Sequence, residues 1–263
     1  MRLDLSILVV TYNQPELVDR FHKEISSSLA DHSDWTILYC DHSPDKKVVN
    51  VLRAQNHHPH MIVHDPNNPG FATGVNRLLS RITREWVALV NPDVFGFTGI
   101  FWERLCNNKD KDSVTFVDLI DEDGLPSDCY GFLPSVSRPF RRIMTQKKQT
   151  SPFHIETGIM AFMFTARINF ERVGFLDEQY FLYAEDMDWC YRARTSGLNI
   201  FLEPRLQLVH FGSASALSKS CPKSIRIQKY ISERLFIKKH YRGPNRLLML
   251  FLNIIKQIKA RFA

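Results

Sequence analysis

A chain of 263 residues with 44% hydrophobic and 24% charged residues has the make-up of an ordinary globular protein, which excludes wholesale disorder and a multispan membrane protein. The net charge of +6 is unevenly spread: Cys221 to Ala263 holds 11 Lys and Arg against one acid, Glu233, so that segment carries +10 and the preceding body −4. An acidic body argues against a nucleic-acid-binding core, and the basic end has the sign to meet nucleic acid, an anionic membrane or an acidic protein.

Leu5 to Val10 is an apolar, β-branched-rich run of the kind found in a strand covered on both faces, and "TYNQP" then opens a helix with Pro15 near its first turn. "WTILYCD" (Trp35 to Asp41), "MIVHD" (Met61 to Asp65) and "EWVALVN" (Glu85 to Asn91) repeat the strand pattern, with helix-like stretches such as "FATGVNRLLSRIT" between them. Alternation of this kind predicts an α/β fold with a mainly parallel central sheet and flanking helices. Ligands of such sheets bind beyond the carboxyl ends of the strands, and here those ends read "TYN", "DHSPD", "DPNNPG" and "NPD", three of them acidic.

After Gly99 the rhythm changes. Asp123-Gly124 predicts a β-hairpin between two alternating stretches, Arg138 to Ser151 reads as a mobile basic loop, and His154 to Ala166 as one more buried strand. Asp186 to Ser196 has helical character closed by Gly197, and "NIFLEPRLQLVHF" is extended and carries His210.

Several residues admit two readings. Asp93, in Asn91-Pro92-Asp93, is a turn former or a metal ligand. Gly70 and Gly74 permit close backbone approach, with helix-start amides able to meet phosphate, although no G-x-G-x-x-G or P-loop pattern is present. Glu185, Asp186 and Asp188 crowd a helix start, where acids complement the dipole; Asp188 is assigned to that capping role, while mutual repulsion suits Glu185 or Asp186 to a general base. His210 reads as a hydrogen-bonded core histidine unless the fold brings it to Asp93, and the tract His57, His58, His60, His64 reads as loop rather than metal site. Five scattered cysteines (Cys40, Cys106, Cys129, Cys190, Cys221) and an N-terminus without a signal-peptide pattern point to a reduced, cytoplasmic protein.

The elements "SILVVTYNQ", "NPGFATGVNRLL", "ALVNPDVF", "FLDEQYFLYAEDMDWCYRARTSG" and "LVHFGSAS", in that order from about Asp4 to Ser215, resemble a family 2 glycosyltransferase of the GT-A fold, especially its rhamnosyltransferase-like branch. The resemblance implies a Rossmann-like GT-A domain over residues 1–220 that moves a sugar, with inversion, from a nucleotide diphosphate-sugar such as dTDP-rhamnose to a glycan or lipid-linked acceptor, as in polysaccharide or O-antigen assembly. It implies nucleotide contacts from Thr11, Tyr12, Asn13 and Asp41, and donor contacts from Asn68, Gly70, Phe71, Asn76, Asn91 and Asp93. It also implies a divalent cation, Mg²⁺ or Mn²⁺, on Asp93 and His210, and a catalytic base at Asp186 with Glu185 beside it. Asn91 departs from the family's D-x-D metal motif and removes one negative charge. The same fold with galactofuranose or an N-acetylhexosamine as donor sugar, or a non-catalytic nucleotide-sugar or membrane-binding protein, are the alternatives.

Residues 221–263 read as a basic, amphipathic helical extension. Leu247 to Ile255 is uncharged but too short for the ~20 residues of a spanning helix. Flanked by Arg246, Lys256, Lys259 and Arg261, it suits a helix lying peripherally on the inner face of the cell membrane, or one docked on its own core or on a second subunit.

Overall fold

In the computed structural model, which describes residues 2–55, 60–107, 109–135, 142–144, 149–211 and 223–262, each early apolar run becomes a strand that ends where its polar tail begins. β1 (Arg2–Thr11), α1 (Pro15–Ser28), β2 (Ser33–Asp41), α2 (Lys47–Arg53), β3 (His60–His64), α3 (Phe71–Leu79) and β4 (Trp86–Val90) alternate. Pro15 stands in the first turn of α1, where its missing N–H has no intrahelical role. All five residues of β4 are buried, as expected of a strand covered on both faces.

The second half holds β5 (Val94–Phe95), α4 (Gly99–Asn107), β6 (Ser113–Ile120), β7 (Tyr130–Phe132), β8 (Arg142–Met144), β9 (Phe153–His154), β10 (Thr157–Gly158), β11 (Phe162–Ala166), α5 (Ile168–Val173), α6 (Glu185–Thr195) and β12 (Asn199–His210). Two helices follow, α7 (Lys223–His240) and α8 (Gly243–Phe262). The main sheet runs β3-β2-β1-β4-β11-β6-β12-β5, with β9 beside β12, and a small sheet runs β10-β7-β8. β3, β2, β1 and β4 are parallel; β11 then enters antiparallel to both β4 and β6, and β12 returns parallel to β6.

Three local expectations are corrected. The Asp123-Gly124 turn forms, with Asp121 N–H donating to Leu125 O, but its second arm reaches β6 only through an Ile120–Pro126 bridge before the chain leaves to pair with β8 and β10. His154 to Ala166 is divided among β9, β10 and β11, because the chain crosses between the two sheets. Residues 142–144, inside the expected basic loop, form β8. His57, His58 and Pro59, most of the rest of that loop, and the end of "LVHFGSAS" lie outside the described residues.

Candidate active site

The carboxyl ends of β1, β2 and β4 open onto a cavity of about 450 Å³ lined by Thr11, Tyr12, His42, Asn68, Gly70, Phe71, Asn91, Asp93, Phe181 and Leu182, among others. Convergence at this end follows from topology, since parallel crossovers bring every strand-to-helix loop to one edge. Another cavity of about 440 Å³ lies under the amino halves of β1 and β2, lined by Ser6, Thr36, His60 and Arg81, away from the polar strand tails. Tyr12, half exposed at the rim of the first cavity, offers a flat aromatic face for stacking.

Asp41 does not line the cavity. It is fully buried, register partner of both Thr11 and His64, and its Oδ1 accepts from Thr11 Oγ1 (3.0 Å) and Ser43 Oγ (2.6 Å). Oδ2 has no hydrogen-bond partner among the described residues, with His64 Nε2 at 3.7 Å. Asn13 is exposed, in the left-handed region (φ 54°), and its backbone N–H donates to Ser43 Oγ. Through Ser43 these bonds tie the loop after β1 to the loop after β2. Asn76 also serves the fold rather than the cavity: its Nδ2 donates to Leu176 O and Glu178 Oε1, both at 2.8 Å, and its Oδ1 accepts from Leu176 N–H.

The two glycines are explained by the protein's own atoms. A Cβ on Gly70, whose φ is 101°, would stand 2.5 Å from the Phe181 carbonyl oxygen, to which Phe71 N–H donates. A Cβ on Gly74 would stand 2.7 Å from His42 Nε2. His42, which directly follows Asp41, is a wall residue marked in the sequence only by its place in the polar tail of β2. Its Nδ1 donates to Asp65 O, and burial lowers its pKa, which favours the neutral ring. Phe181 and Leu182 also line the cavity, and no local pattern marks them because their approach to α3 is long-range.

Asn91-Pro92-Asp93 is a turn, closed by Val94 N–H donating to Asn91 O, with proline at the position where its φ is preset. The turn aims Asp93 into the cavity. β5 then pairs with the end of β12, Val94 opposite His210, which brings His210 Nε2 to 3.4 Å from Asp93 Oδ2. Asp93 Oδ1 is buried with no hydrogen-bond partner among the described residues. A buried orphan carboxylate oxygen beside an imidazole is a donor set that fits a divalent cation short of ligands. No group of three or more His, Cys, Asp or Glu suited to a metal occurs among the described residues, so further ligands would have to come from a bound phosphate and water.

α6 starts after two consecutive left-handed, non-glycine residues, Tyr183 (φ 68°) and Ala184 (φ 66°), a backbone state that costs energy and gathers at functional sites. Its first turn carries Glu185 and Asp186, 7% and 6% exposed, just after the cavity residues Phe181 and Leu182. Asp188, expected to cap the helix, is instead a buried link to the C-terminal helices. Its carboxylate accepts from Arg192 Nε (2.8 Å), His240 Nε2 (2.6 Å) and Tyr180 Oη (3.3 Å). Burial alone would raise its pKa, but the His240 hydrogen bond and the Arg192 charge outweigh it and hold the carboxyl below its ordinary value.

Sheet order, the inserted antiparallel strand and a cavity at the carboxyl ends of the parallel strands define an α/β protein of the GT-A class. Two solved structures share this fold at 14% identity and a TM-score of 0.62: GalNAc-T7 with UDP, GalNAc and Mn²⁺ (95% of this chain, 53% of that one) and the mannosyltransferase PcManGT from Pyrobaculum calidifontis with GDP-Man and Mn²⁺ (98% and 70%). Residues 6–167 match Glycosyl transferase family 2, and the chain belongs to that family. A curated relative, the low-salt glycan biosynthesis hexosyltransferase Agl10 of Haloferax volcanii, is 22% identical over 215 residues, and the match spans 75% of this chain and 64% of that relative's length.

Proposed function

We propose that the protein transfers a hexose from a nucleotide diphosphate-sugar to a hydroxyl of a glycan or lipid-linked acceptor, with inversion at the anomeric carbon. The observation that carries this is the pairing of Asp93, with its orphan buried oxygen, and His210 beside a cavity whose rim offers Tyr12 for stacking. In this reading the nucleotide lies over Thr11, Tyr12 and Asn68, and the diphosphate faces Asp93. Asp93 and His210 would hold Mg²⁺ or Mn²⁺, as their chemistry and the Mn²⁺ of the two fold relatives support; when bound, the cation supplies Lewis-acid stabilisation of leaving-group charge.

The residues of the chain account for the rest of the step. Asp186, with Glu185 as its neighbour, takes the proton of the acceptor hydroxyl. That oxygen bonds to the anomeric carbon from the face opposite the nucleotide, and the nucleotide diphosphate leaves with the electron pair. Asn91-Pro92-Asp93, read through the rhamnosyltransferase-like resemblance, favours dTDP-rhamnose as donor and a role in O-antigen or related polysaccharide assembly. Residues 1–220 act as the transferase domain, and residues 221–263 hold it peripherally on the inner face of the cell membrane, near a lipid-linked acceptor. A panel of dTDP-, UDP- and GDP-sugars with Mg²⁺, Mn²⁺ or EDTA, followed by nucleotide diphosphate release, tests the reading. Release from dTDP-rhamnose above the other donors is expected; the absence of both release and binding with every donor would overturn the assignment.

A further inference from the structure

α8 is built inside out. Its inward positions are Met249, Asn253 and Gln257, at i, i+4 and i+8, all at most 8% exposed. Two of these are amides bonded to α7: Asn253 Nδ2 donates to Glu233 Oε2 (3.2 Å), while Arg234 donates to Asn253 Oδ1 (3.3 Å) and to Gln257 Oε1. The opposite side carries Leu247 (70% exposed), Phe251 (61%), Ile254 (42%) and Ile258 (49%), at i, i+4, i+7 and i+11, with Leu248 next to them. That spacing is a single helical stripe. A surface helix of a globular protein turns its apolar stripe to the core; here the amides face in and the stripe faces water.

Charge selects what covers it. α8 contains no acid, and the single acid of α7, Glu233, is 7% exposed and engaged by Asn253. No carboxylate side chain of the two helices is therefore exposed, whereas Lys238 of α7 and Arg242 of the joint between them are. A second copy meeting this face would set like charge against like charge over a segment of +10, and an anionic lipid surface brings the opposite sign. No helix among the described residues is long and apolar enough to cross a membrane, so the stripe fits a helix lying in the bilayer plane.

We propose that α8 docks on an anionic bilayer with Leu247, Phe251, Ile254 and Ile258 below the headgroups, and that α7, joined to α6 through Phe236 and the His240–Asp188 bond, sets the orientation of the helix bearing Glu185 and Asp186 toward that surface. The proposal rests on the reading of a membrane-side acceptor and adds the face, the lipid charge and the link to α6.

Flotation of the full chain tests it, with phosphatidylcholine vesicles compared with vesicles that also contain phosphatidylglycerol. Wild-type protein is expected to float with the phosphatidylglycerol vesicles alone, and less at high salt. The triple variant Leu247→Ser/Phe251→Ser/Ile254→Ser alters only exposed positions; it should lose about tenfold or more of the bound fraction while keeping its circular dichroism and dTDP binding. Wild-type protein that does not float, or a variant that floats equally well, overturns the proposal. So does a dimer at sedimentation equilibrium that the triple variant dissolves, since the stripe then belongs to a second copy. Flotation reads no sugar transfer, so dTDP binding and donor turnover judge the transferase reading separately.

Discussion

His240, the last residue of α7, places Nε2 2.6 Å from Oδ1 of Asp188, two positions beyond Asp186 on α6. The C-terminal helices are thus tied to the helix of the proposed base by a hydrogen bond to a carboxylate that is 1% exposed. His240→Ala leaves that carboxylate with Arg192 and Tyr180 only, and should cost roughly 1–3 kcal/mol in urea unfolding. His240→Asn, with a donor at similar reach, should recover part of the loss. Equal stability of the wild type and the alanine variant would show that the bond contributes nothing.

The same carboxylate gives a pH dependence with a definite sign. Its folded pKa lies below the unfolded value of about 3.9, so its stabilisation is fully present above that value and is lost as pH falls through the folded one. Asp188→Asn should be less stable at neutral pH and show a shallower acid limb in a series of urea titrations. Parallel wild-type and variant curves below about pH 4 would contradict this.

Asp186→Asn should keep nucleotide-sugar binding and lower kcat by about 10²- to 10⁴-fold, the usual range for loss of a general base. Glu185→Gln is the paired control, because both acids sit in the first turn of α6. Single-turnover transfer decides between them: a larger loss in Glu185→Gln would move the base to Glu185.

Asp93→Ala and His210→Ala should each weaken metal-dependent donor binding, read by calorimetry with and without EDTA, by about tenfold or more. Asn91→Asp restores a second negative charge at the turn and should tighten Mn²⁺ binding in the absence of donor. An unaltered metal titration for Asp93→Ala would leave Asp93 as the residue that turns the chain and nothing more.

Gly70→Ala forces a side chain into a φ of 101° and a Cβ to 2.5 Å from Phe181 O. The expected cost is about 2 kcal/mol or more, as for other left-handed sites, together with weaker donor binding because Phe181 forms the cavity wall. Thermal melts and donor titrations on one sample check both. Normal stability would mean that the 181–184 segment moves aside freely.

Local pattern was enough to determine the α/β class, the four parallel strands with polar tails gathered at one edge, and the helix starts at Pro15 and Phe71, while the family resemblance singled out Thr11, Tyr12, Asn68, Gly70, Phe71, Asn91 and Asp93, which line the cavity. Those features are legible because burial on both faces imposes continuous apolar runs, and parallel crossovers send every strand tail to one edge. Tertiary structure alone decided that Asn76 and Asp41 brace loops, that Gly70 makes room for Phe181, and that Asp188 answers to His240, and it sets His210 3.4 Å from Asp93, a pairing that only the family resemblance implies from sequence. It also decided which face of α8 is turned inward. Each of these depends on which element lies next to which, and hydrophobic periodicity records only that a residue is covered, not what covers it.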